Sequence, residues 1–354
     1  MESSRRVTGA DVARLAGVSK TAVSQVLGGT GRISPDTAER VRAAAERLGY
    51  TPDHSARSLR LGRTGLLTMI IPQVDNPYYL EIFAGAQAAA AARGYAIDLF
   101  AVPDAAAARE RLRSLATGVA DGVVVTAEAG GHELVDDLLR LRERGMAAAV
   151  THTPAPDPRI PAVRADVEHG AHLAMRHLLE LGHRRIAYVG NLIDAAARAH
   201  DPAKPGDGRW RGYREALADA GIEYDESLVH STEPTARGGA LTAAALTATP
   251  SRPPTAVFAF NDLVAIGILH ALAAAGVRVP EDISVVGFDG IGLAEFAVPG
   301  LTTVAHPRAE LGRQAVTHLC DQLDGLADGH TDSVLASTLV VRASTGPAGP
   351  LSPR

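Results

Sequence analysis

The sequence predicts an N-terminal all-α helix-turn-helix head followed by an α/β body of two lobes, each a doubly wound parallel sheet. Three observations predict it. Two short amphipathic segments near the start of the chain are separated only by Gly17 to Ser19. From Leu66 onward, short apolar runs alternate with Ala-rich helical stretches, the pattern of parallel strands covered by helices on both faces. The alternation comes in two successive sets, and 354 residues exceed what one hydrophobic core usually organises.

In the head, Thr8 caps a first helix with Asp11 three residues on, where a carboxylate meets the positive end of the helix dipole. That helix buries Val12, Ala13 and Ala16. Gly17 takes the positive φ that ends it, Val18 turns inward, and Ser19 caps a second helix running to about Leu27, where Gly28 and Gly29 stop it. Val23, Val26 and Leu27 face inward, which leaves Lys20, Thr21, Ser24 and Gln25 outside, able to bond groove edges or phosphates. In "SPDTAERVRAAAERLGY", Ser34 caps a third helix with Pro35 at its first position and Val41, Ala44, Ala45 and Leu48 on one face.

The next stretch, "TPDHSARSLRLGRTG", holds a short amphipathic piece, Ser55 to Leu61, bounded by Pro52 and Gly62 and carrying Arg57, Arg60 and Arg63. It is too short to be a stable helix alone and suits one that forms on docking. Leu59 then has the shape to wedge between base steps while Ala56 permits a close approach to the minor groove; the alternative is a flexible basic linker.

Charge agrees with this division. Residues 1–64 carry 11 Lys/Arg against 6 Asp/Glu, and the remainder 24 against 34, so a basic head precedes an acidic body. That separation suits a head that neutralises phosphates and a body that avoids nonspecific polyanion binding, with chance clustering as the alternative. No apolar run reaches the about 20 residues of a membrane span, and "MESSRRVTGADVARLAGV" has no apolar core followed by a small-residue cleavage site. A cytoplasmic protein is expected, and the single cysteine, Cys320, which can form neither an internal disulfide nor a zinc cluster, agrees with a reducing compartment.

Residues 8–62 resemble the DNA-binding head of the lactose-repressor (LacI/GalR) family of bacterial transcription regulators: the pattern TxxDVAxxAGVSxxTVSxVLN is met by "TGADVARLAGVSKTAVSQVLG", and the continuation resembles the family's third helix, joint and hinge helix. The resemblance implies that Lys20, Thr21 and Gln25 read bases, that Leu59 is the leucine inserted at the operator centre, and that Arg60 enters the minor groove beside it. Ala22 stands where Thr is usual and Gly28 where Asn is usual; neither is a base-reading position.

In the body, "LLTMIIP", "YAIDLFAV", "DGVVVTA" and "AAAVTH", then "RRIAYVG", "TAVFAF", "ISVVGF" and "LTTVAH", read as strands. A ligand of such a sheet pair belongs in the crevice at the carboxyl ends of the strands. Those ends carry "PQVDNPYY", Asn261-Asp262, Asp289 and His306. Asp262 reads as a helix cap, whereas Asp289, followed by Gly290 rather than an apolar helix, reads as a ligand residue. Tyr78 and Tyr79 either wall a ligand ring or pack in the core.

The body, residues 65–346, also resembles the family and its periplasmic-binding-protein-like fold, through "DNPYY", "HLLELGHRRIAYVG", "FNDLVAIGIL", "VPEDISVVGFDGI" and "LTTVAHPRAELGRQAV". It implies an effector site of Asn76, Tyr78, Tyr79, Arg209, Asn261, Asp289 and His306, the last where Gln is frequent. Thr151-His152 replaces the Asp-Arg pair of many sugar-binding relatives, so His152 joins the candidates without a charged bidentate grip, and a sugar is one possible effector among several.

The expected organisation is a head at 1–52, a hinge helix or linker at 53–64, and an effector-binding and dimerisation body at 65–346. Lobe 1 is expected at about 65–165 and 305–328, lobe 2 at about 166–304 and 329–346, and a disordered tail at 347–354. The loop "NLIDAAARAHDPAKPGDGRW" reads as mobile, near the cleft rim. His169, His172, His177 and His183 lack clustered carboxylates or cysteines, so no metal is expected, and no cofactor or catalytic motif is found.

The expected protein is a regulator, of repressor type in the family's sense, that works as a homodimer on double-stranded operator DNA under control of a small-molecule effector. "TGPAGPLSPR" has no heptad tail to zip dimers into tetramers. Two rivals are a solute-binding protein without DNA function and an enzyme on the same scaffold.

Overall fold

The structure, a computed structural model, describes residues 7–27, 33–50, 63–130, 133–190, 208–247, 253–326 and 331–349. The chain divides into two units, Met1–Gly65 and Leu66–Arg354.

The first unit contains α1 (Gly9–Ala16), α2 (Lys20–Leu27) and α3 (Pro35–Arg47) around Val12, Ala13, Ala16, Val23, Val41, Ala44 and Ala45. The ends of each helix are closed by local chemistry. Thr8 donates its N–H and its hydroxyl to Asp11 Oδ2 at 3.0 and 2.7 Å. Gly17 has φ +66°, which lets the Val18 N–H turn back to Ala13 O at 3.0 Å. Ser19 Oγ accepts the Ala22 N–H at 3.1 Å, and Ser34 Oγ accepts the Thr37 N–H at 3.3 Å. Arg40 of α3 donates to the last α1 carbonyl, Ala16 O, from Nη2 at 2.7 Å and Nε at 3.3 Å, satisfying an acceptor that helix geometry leaves open. Ser19→Ala should therefore cost the head about 1 kcal/mol while Ser19→Asn stays near neutral; amide exchange of α2 in the full chain measures both.

The second unit runs β1 (Leu66–Ile71), α4 (Pro77–Ala92), β2 (Ala96–Ala101), α5 (Ala105–Leu115), β3 (Gly122–Thr126), α6 (Val135–Glu143), β4 (Ala147–Thr151) and β5 (Ala162–Ala165) through lobe 1. It continues in lobe 2 as α7 (Val167–Glu180), β6 (Ile186–Gly190), α8 (Gly208–Asp219), β7 (Val229–Ser231), α9 (Ala236–Thr247), β8 (Ala256–Ala259), α10 (Asp262–Ala274), β9 (Ser284–Asp289), α11 (Leu293–Phe296) and β10 (Thr302–Ala305). The chain returns to lobe 1 for α12 (Arg308–Leu323) and β11 (Asp332–Leu335), and ends its regular structure in lobe 2 with β12 (Thr338–Val340).

The sheet of lobe 1 has order β11-β5-β4-β3-β1-β2, all parallel; that of lobe 2 has order β12-β10-β9-β8-β6-β7, parallel except for β12 against β10. Alternate residues of each strand feed opposite faces: Leu67, Met69 and Ile71 pack under α4 and α12, while Ile70, Val123 and Val125 pack under α5 and α6. Strand order reverses between β1 and β3 and between β6 and β8, the switch points where the carboxyl ends open a crevice.

Three crossings join the lobes, at Ala165–Val167, Ala305–Arg308 and Leu335–Thr338. Two sequence expectations are corrected here. Residues 332–335 belong to lobe 1, because Asp332 to Leu335 pair with Ala162 to Ala165; lobe 2 resumes only with β12. Residues 347–349 are not a loose tail as far as they are described, since Ala348 donates its N–H to Leu181 O at 2.8 Å.

Candidate functional site

On α2, Val23 is buried and Val26 and Leu27 are half-buried, so the inner face is apolar. Lys20, Thr21, Ser24 and Gln25 follow at spacings of one and four and form a stripe on the opposite side. Ser19, Lys20 and Thr21 are exposed, and Ser24 and Gln25 half-buried. This stripe supplies a cation, two hydroxyls and an amide, the groups that read base edges and phosphates. Ala56, Arg57, Leu59 and Arg60 lie outside the described residues.

In the body, the residues singled out from the sequence assemble at the carboxyl ends of the strands. Asn76 caps α4 with Oδ1 accepting the Tyr78 N–H at 3.0 Å, and Pro77 fills the first helical position. The cap fixes Tyr78 and Tyr79, both buried, in the first turn. Tyr78 Oη lies 2.8 Å from His152 Nε2, and His152 Nδ1 lies 2.8 Å from Thr151 Oγ1. His152 adopts φ +68°, a left-handed conformation just beyond β4 that swings its ring toward α4. The ring centroid of Tyr78 is 5.4 Å from those of Tyr79 and His152 and 6.2 Å from that of His306, which binds strand ends of both lobes into one aromatic group. The tyrosines pack with Ile82 and Ala86 in the core, the second of the two roles foreseen for them, and their rings also meet His152 edge to face.

Arg209, in the first turn of α8, donates from Nη2 to Asp289 Oδ1 at 3.3 Å, and its guanidinium carbon lies 4.3 Å over Phe260 and 4.6 Å over Phe288. Asp289 itself has φ +104°, and its carbonyl accepts Arg308 Nη1 at 2.7 Å. Such strain persists only where surrounding contacts impose it. Gly290 follows at φ +67°, where a Cβ would stand 2.6 Å from the Ala305 Cα.

Asn261 caps α10, with Oδ1 accepting the Val264 N–H at 2.8 Å and Nδ2 donating to Pro234 O at 3.3 Å. Asp262 is therefore not the cap expected of it. Its buried carboxylate accepts the Ile291 N–H at 2.8 Å and the Thr303 hydroxyl at 2.5 Å, holding the loop after β9 against β10. Burial, and then the charge of Asp289, pushes the Asp262 carboxyl well above the usual carboxylate range. His306 is buried as well; burial, Arg209, His152 and Arg308 hold its imidazole well below the usual range. The cleft histidine is thus neutral at physiological pH.

Sequence reasoning missed Glu81 as a cleft residue. Its carboxylate accepts Arg308 Nε at 2.6 Å and the Gly292 N–H at 3.2 Å, so one side chain of α4 engages backbone of lobe 2 and the start of α12. Its partners lie more than 200 positions away, which no local pattern signals. Among the described residues, Glu168, His172 and Glu215 bring metal-ligating atoms within 4.8 Å of one another, but Arg211 already binds Glu168 Oε2 at 2.8 Å and His172 Nε2 lies 3.1 Å from Glu215. His183 is a satisfied core histidine, bonded to Thr255 and Gly346.

Comparison with known proteins gives the same division of labour. Residues 9–53 match the bacterial regulatory proteins of the lacI family, and residues 175–345 match a periplasmic binding protein-like domain. The HTH-type transcriptional regulator CelR of Thermobifida fusca is 36% identical over 356 residues, covering 97% of this chain and all of that protein. The HTH-type transcriptional repressor CytR of Escherichia coli (strain K12) is 32% identical over 340 residues, 95% of each. Among solved structures, the CelR–cellobiose complex aligns over 96% of this chain and all of its own with TM-score 0.67 and 32% identity, and the lac repressor dimer bound to operator and the anti-inducer ONPF aligns over 97% and 100% with TM-score 0.79 and 25% identity.

A helix-turn-helix head on a two-lobed ligand-binding body defines a DNA-binding transcriptional regulator under small-molecule control. The chain belongs to the lacI family of bacterial regulatory proteins. As a bacterial regulator acting on DNA, it works in the cytoplasm, and no described helix is long and apolar enough to cross a membrane.

Proposed function

We propose that this regulator is a homodimeric repressor whose effector is a small hydroxylated metabolite, a sugar first, bound between the lobes by Arg209, Asp289, Tyr78, Tyr79, His152 and His306. The observation that carries this reading is the Arg209–Asp289 pair, a half-buried guanidinium over Phe260 and Phe288 bonded to a buried carboxylate: it offers a donor fork and an acceptor to hydroxyls beside apolar ring faces. A CelR structure was solved with cellobiose, which makes cellobiose the first probe. Lys20, Thr21, Ser24 and Gln25 would read a half-site, with Ser19 at the phosphate and the segment of Ala56, Arg57, Leu59 and Arg60 in the minor groove.

Gel shifts with DNA from upstream of the chain's own gene test the function. Retention at physiological salt that survives random competitor DNA, and that cellobiose alters, is the expected result; equal retention of random DNA would reject it. Linkage requires DNA to change cellobiose affinity by the same factor.

The dimer is supported by an exposed apolar group on lobe 2: Phe296 is 78% and Val298 86% exposed, with Leu293 beside them. A second copy of the chain would cover it, and the similar lac repressor was solved as a dimer. Phe296→Asp should give monomers in analytical ultracentrifugation and weaken operator binding, because two half-sites no longer act together; an unchanged dimer would move the interface elsewhere.

A further inference from the structure

The three crossings between the lobes are joined by one hydrogen-bond chain. Asp166 lies on the first crossing, His306 on the second and Ser337 on the third. Ser337 Oγ donates to Asp166 O at 2.7 Å, and His306 Nδ1 lies 2.9 Å from the same Oγ. A carbonyl cannot donate, so the single hydroxyl proton of Ser337 points at Asp166 and the oxygen turns a lone pair to His306. Nδ1 must then carry the imidazole proton. A neutral imidazole has only one, so Nε2 is an acceptor.

That acceptor is buried, His306 being 4% exposed, and no protein group among the described residues pairs with it. Its ring stands between Phe288 at 5.0 Å and Tyr78 at 6.2 Å, within the group that also holds Arg209 and His152. Protonating Nε2 is opposed by burial and by the neighbouring cations. The relay also has room made for it: a Cβ on Gly170 would stand 3.2 Å from Ser337 Cβ and 3.1 Å from Phe288 Cζ.

We infer that Ser337 is a positioning residue that locks His306 in its Nδ1–H form, so that the cleft selects effectors placing a hydroxyl or N–H donor at Nε2 and rejects analogues with an acceptor there. This rests on the effector cleft proposed above and goes beyond it by naming the group the ligand must carry. A buried acceptor without a partner is costly, and a ligand donor removes that cost where a ligand acceptor adds to it.

The test uses deuterated full-length protein with 15N-labelled histidine, His306 being assigned by comparison with His306→Gln. The imidazole should show a protonated Nδ1 and an unprotonated Nε2 in the native chain, a mixture or reversal in Ser337→Ala, and the native pattern again in Ser337→Thr, with melting temperatures recorded to confirm that each variant is folded. Cellobiose, ribose and adenosine are then added in turn; a bound probe should shift the Nε2 resonance and lose about tenfold in affinity in Ser337→Ala, the scale of one hydrogen bond. A protonated Nε2 in the native chain, a tautomer unmoved by Ser337→Ala, or a probe whose binding is abolished by Arg209→Ala yet leaves Nε2 unshifted would overturn the inference. Failure of all three probes to bind would count against the sugar reading, while the tautomer still decides the role of Ser337.

Discussion

Gly312→Val should lower the melting temperature of the body by about 5 °C, the shift that a loss of about 3 kcal/mol produces in a unit of this size. In an open helix, replacing glycine by a residue with a side chain helps or costs little. Here the sign reverses, because α12 crosses α4 at backbone contact. A Cβ on Gly312 would lie 1.9 Å from Ile82 O, and a Cβ on Gly85 would lie 1.9 Å from Ala309 O. Each glycine thus sits on the other helix's carbonyl row, and neither backbone can yield as a flexible side chain would. Calorimetry of the native chain, Gly312→Val and the half-buried control Thr317→Ala on the same helix decides the matter; a melting temperature of Gly312→Val equal to or above the native one would refute the contact. Lobe 2 repeats the device between α9 and α10, where a Cβ on Gly239 would lie 2.1 Å from Val264 O and one on Gly267 would lie 1.9 Å from Ala236 O. Both lobes therefore draw one helix pair onto the sheet by the same reciprocal exchange of side chains for backbone contact.

Such crossings mark the limit of what the sequence discloses. The head was legible because its instructions are local: Thr8 with Asp11, Gly17, Ser19, and Ser34 before Pro35 each act within four residues. Eight strands were legible from apolar runs bounded by turns. β5, β7, β11 and β12 were not, since three or four residues such as Val229–Ser231 carry no period and become strands only through a paired edge. The same weakness put residues 332–335 in the wrong lobe, as nothing within "DSVL" says which sheet edge it will meet. In the cleft, the rule that ligands gather at carboxyl strand ends singled out Tyr78, Asp289 and His306, and the family resemblance added His152 and Arg209; the fold sets Tyr78 beside His152 and His306, and Arg209 beside Asp289. The bonds that set their charge and proton positions were invisible, because Glu81, Asp262 and Ser337 reach partners that only the folded chain supplies. Asp262 illustrates the difference: residue type and position suggested a cap, but Asn261 took that place and freed the carboxylate to tie the loop after β9 to β10.

Arg209→Ala should raise the cellobiose concentration for half-maximal response by about 100-fold and cost the body about 3 kcal/mol, leaving operator affinity without effector unchanged. Two physical effects combine. The fork that would grip ligand hydroxyls disappears, and the carboxylate of Asp289, 5% exposed, loses the guanidinium that offsets its desolvation. The charge of Asp289 is already felt by buried Asp262, whose carboxyl it helps hold well above the usual range, so removing the guanidinium leaves the Asp289 charge without that offset. Arg209→Lys separates the two effects. It keeps a positive charge beside Asp289 but loses the planar fork and the stacking over Phe260 and Phe288, so stability should recover more than effector response. Dose–response curves from gel shifts, read beside urea melts of the same preparations, give both quantities. If the alanine variant answered cellobiose as the native chain does, Arg209 would be a structural clamp for Asp289 alone, and the ligand would have to be sought on the tyrosine and histidine side of the cleft.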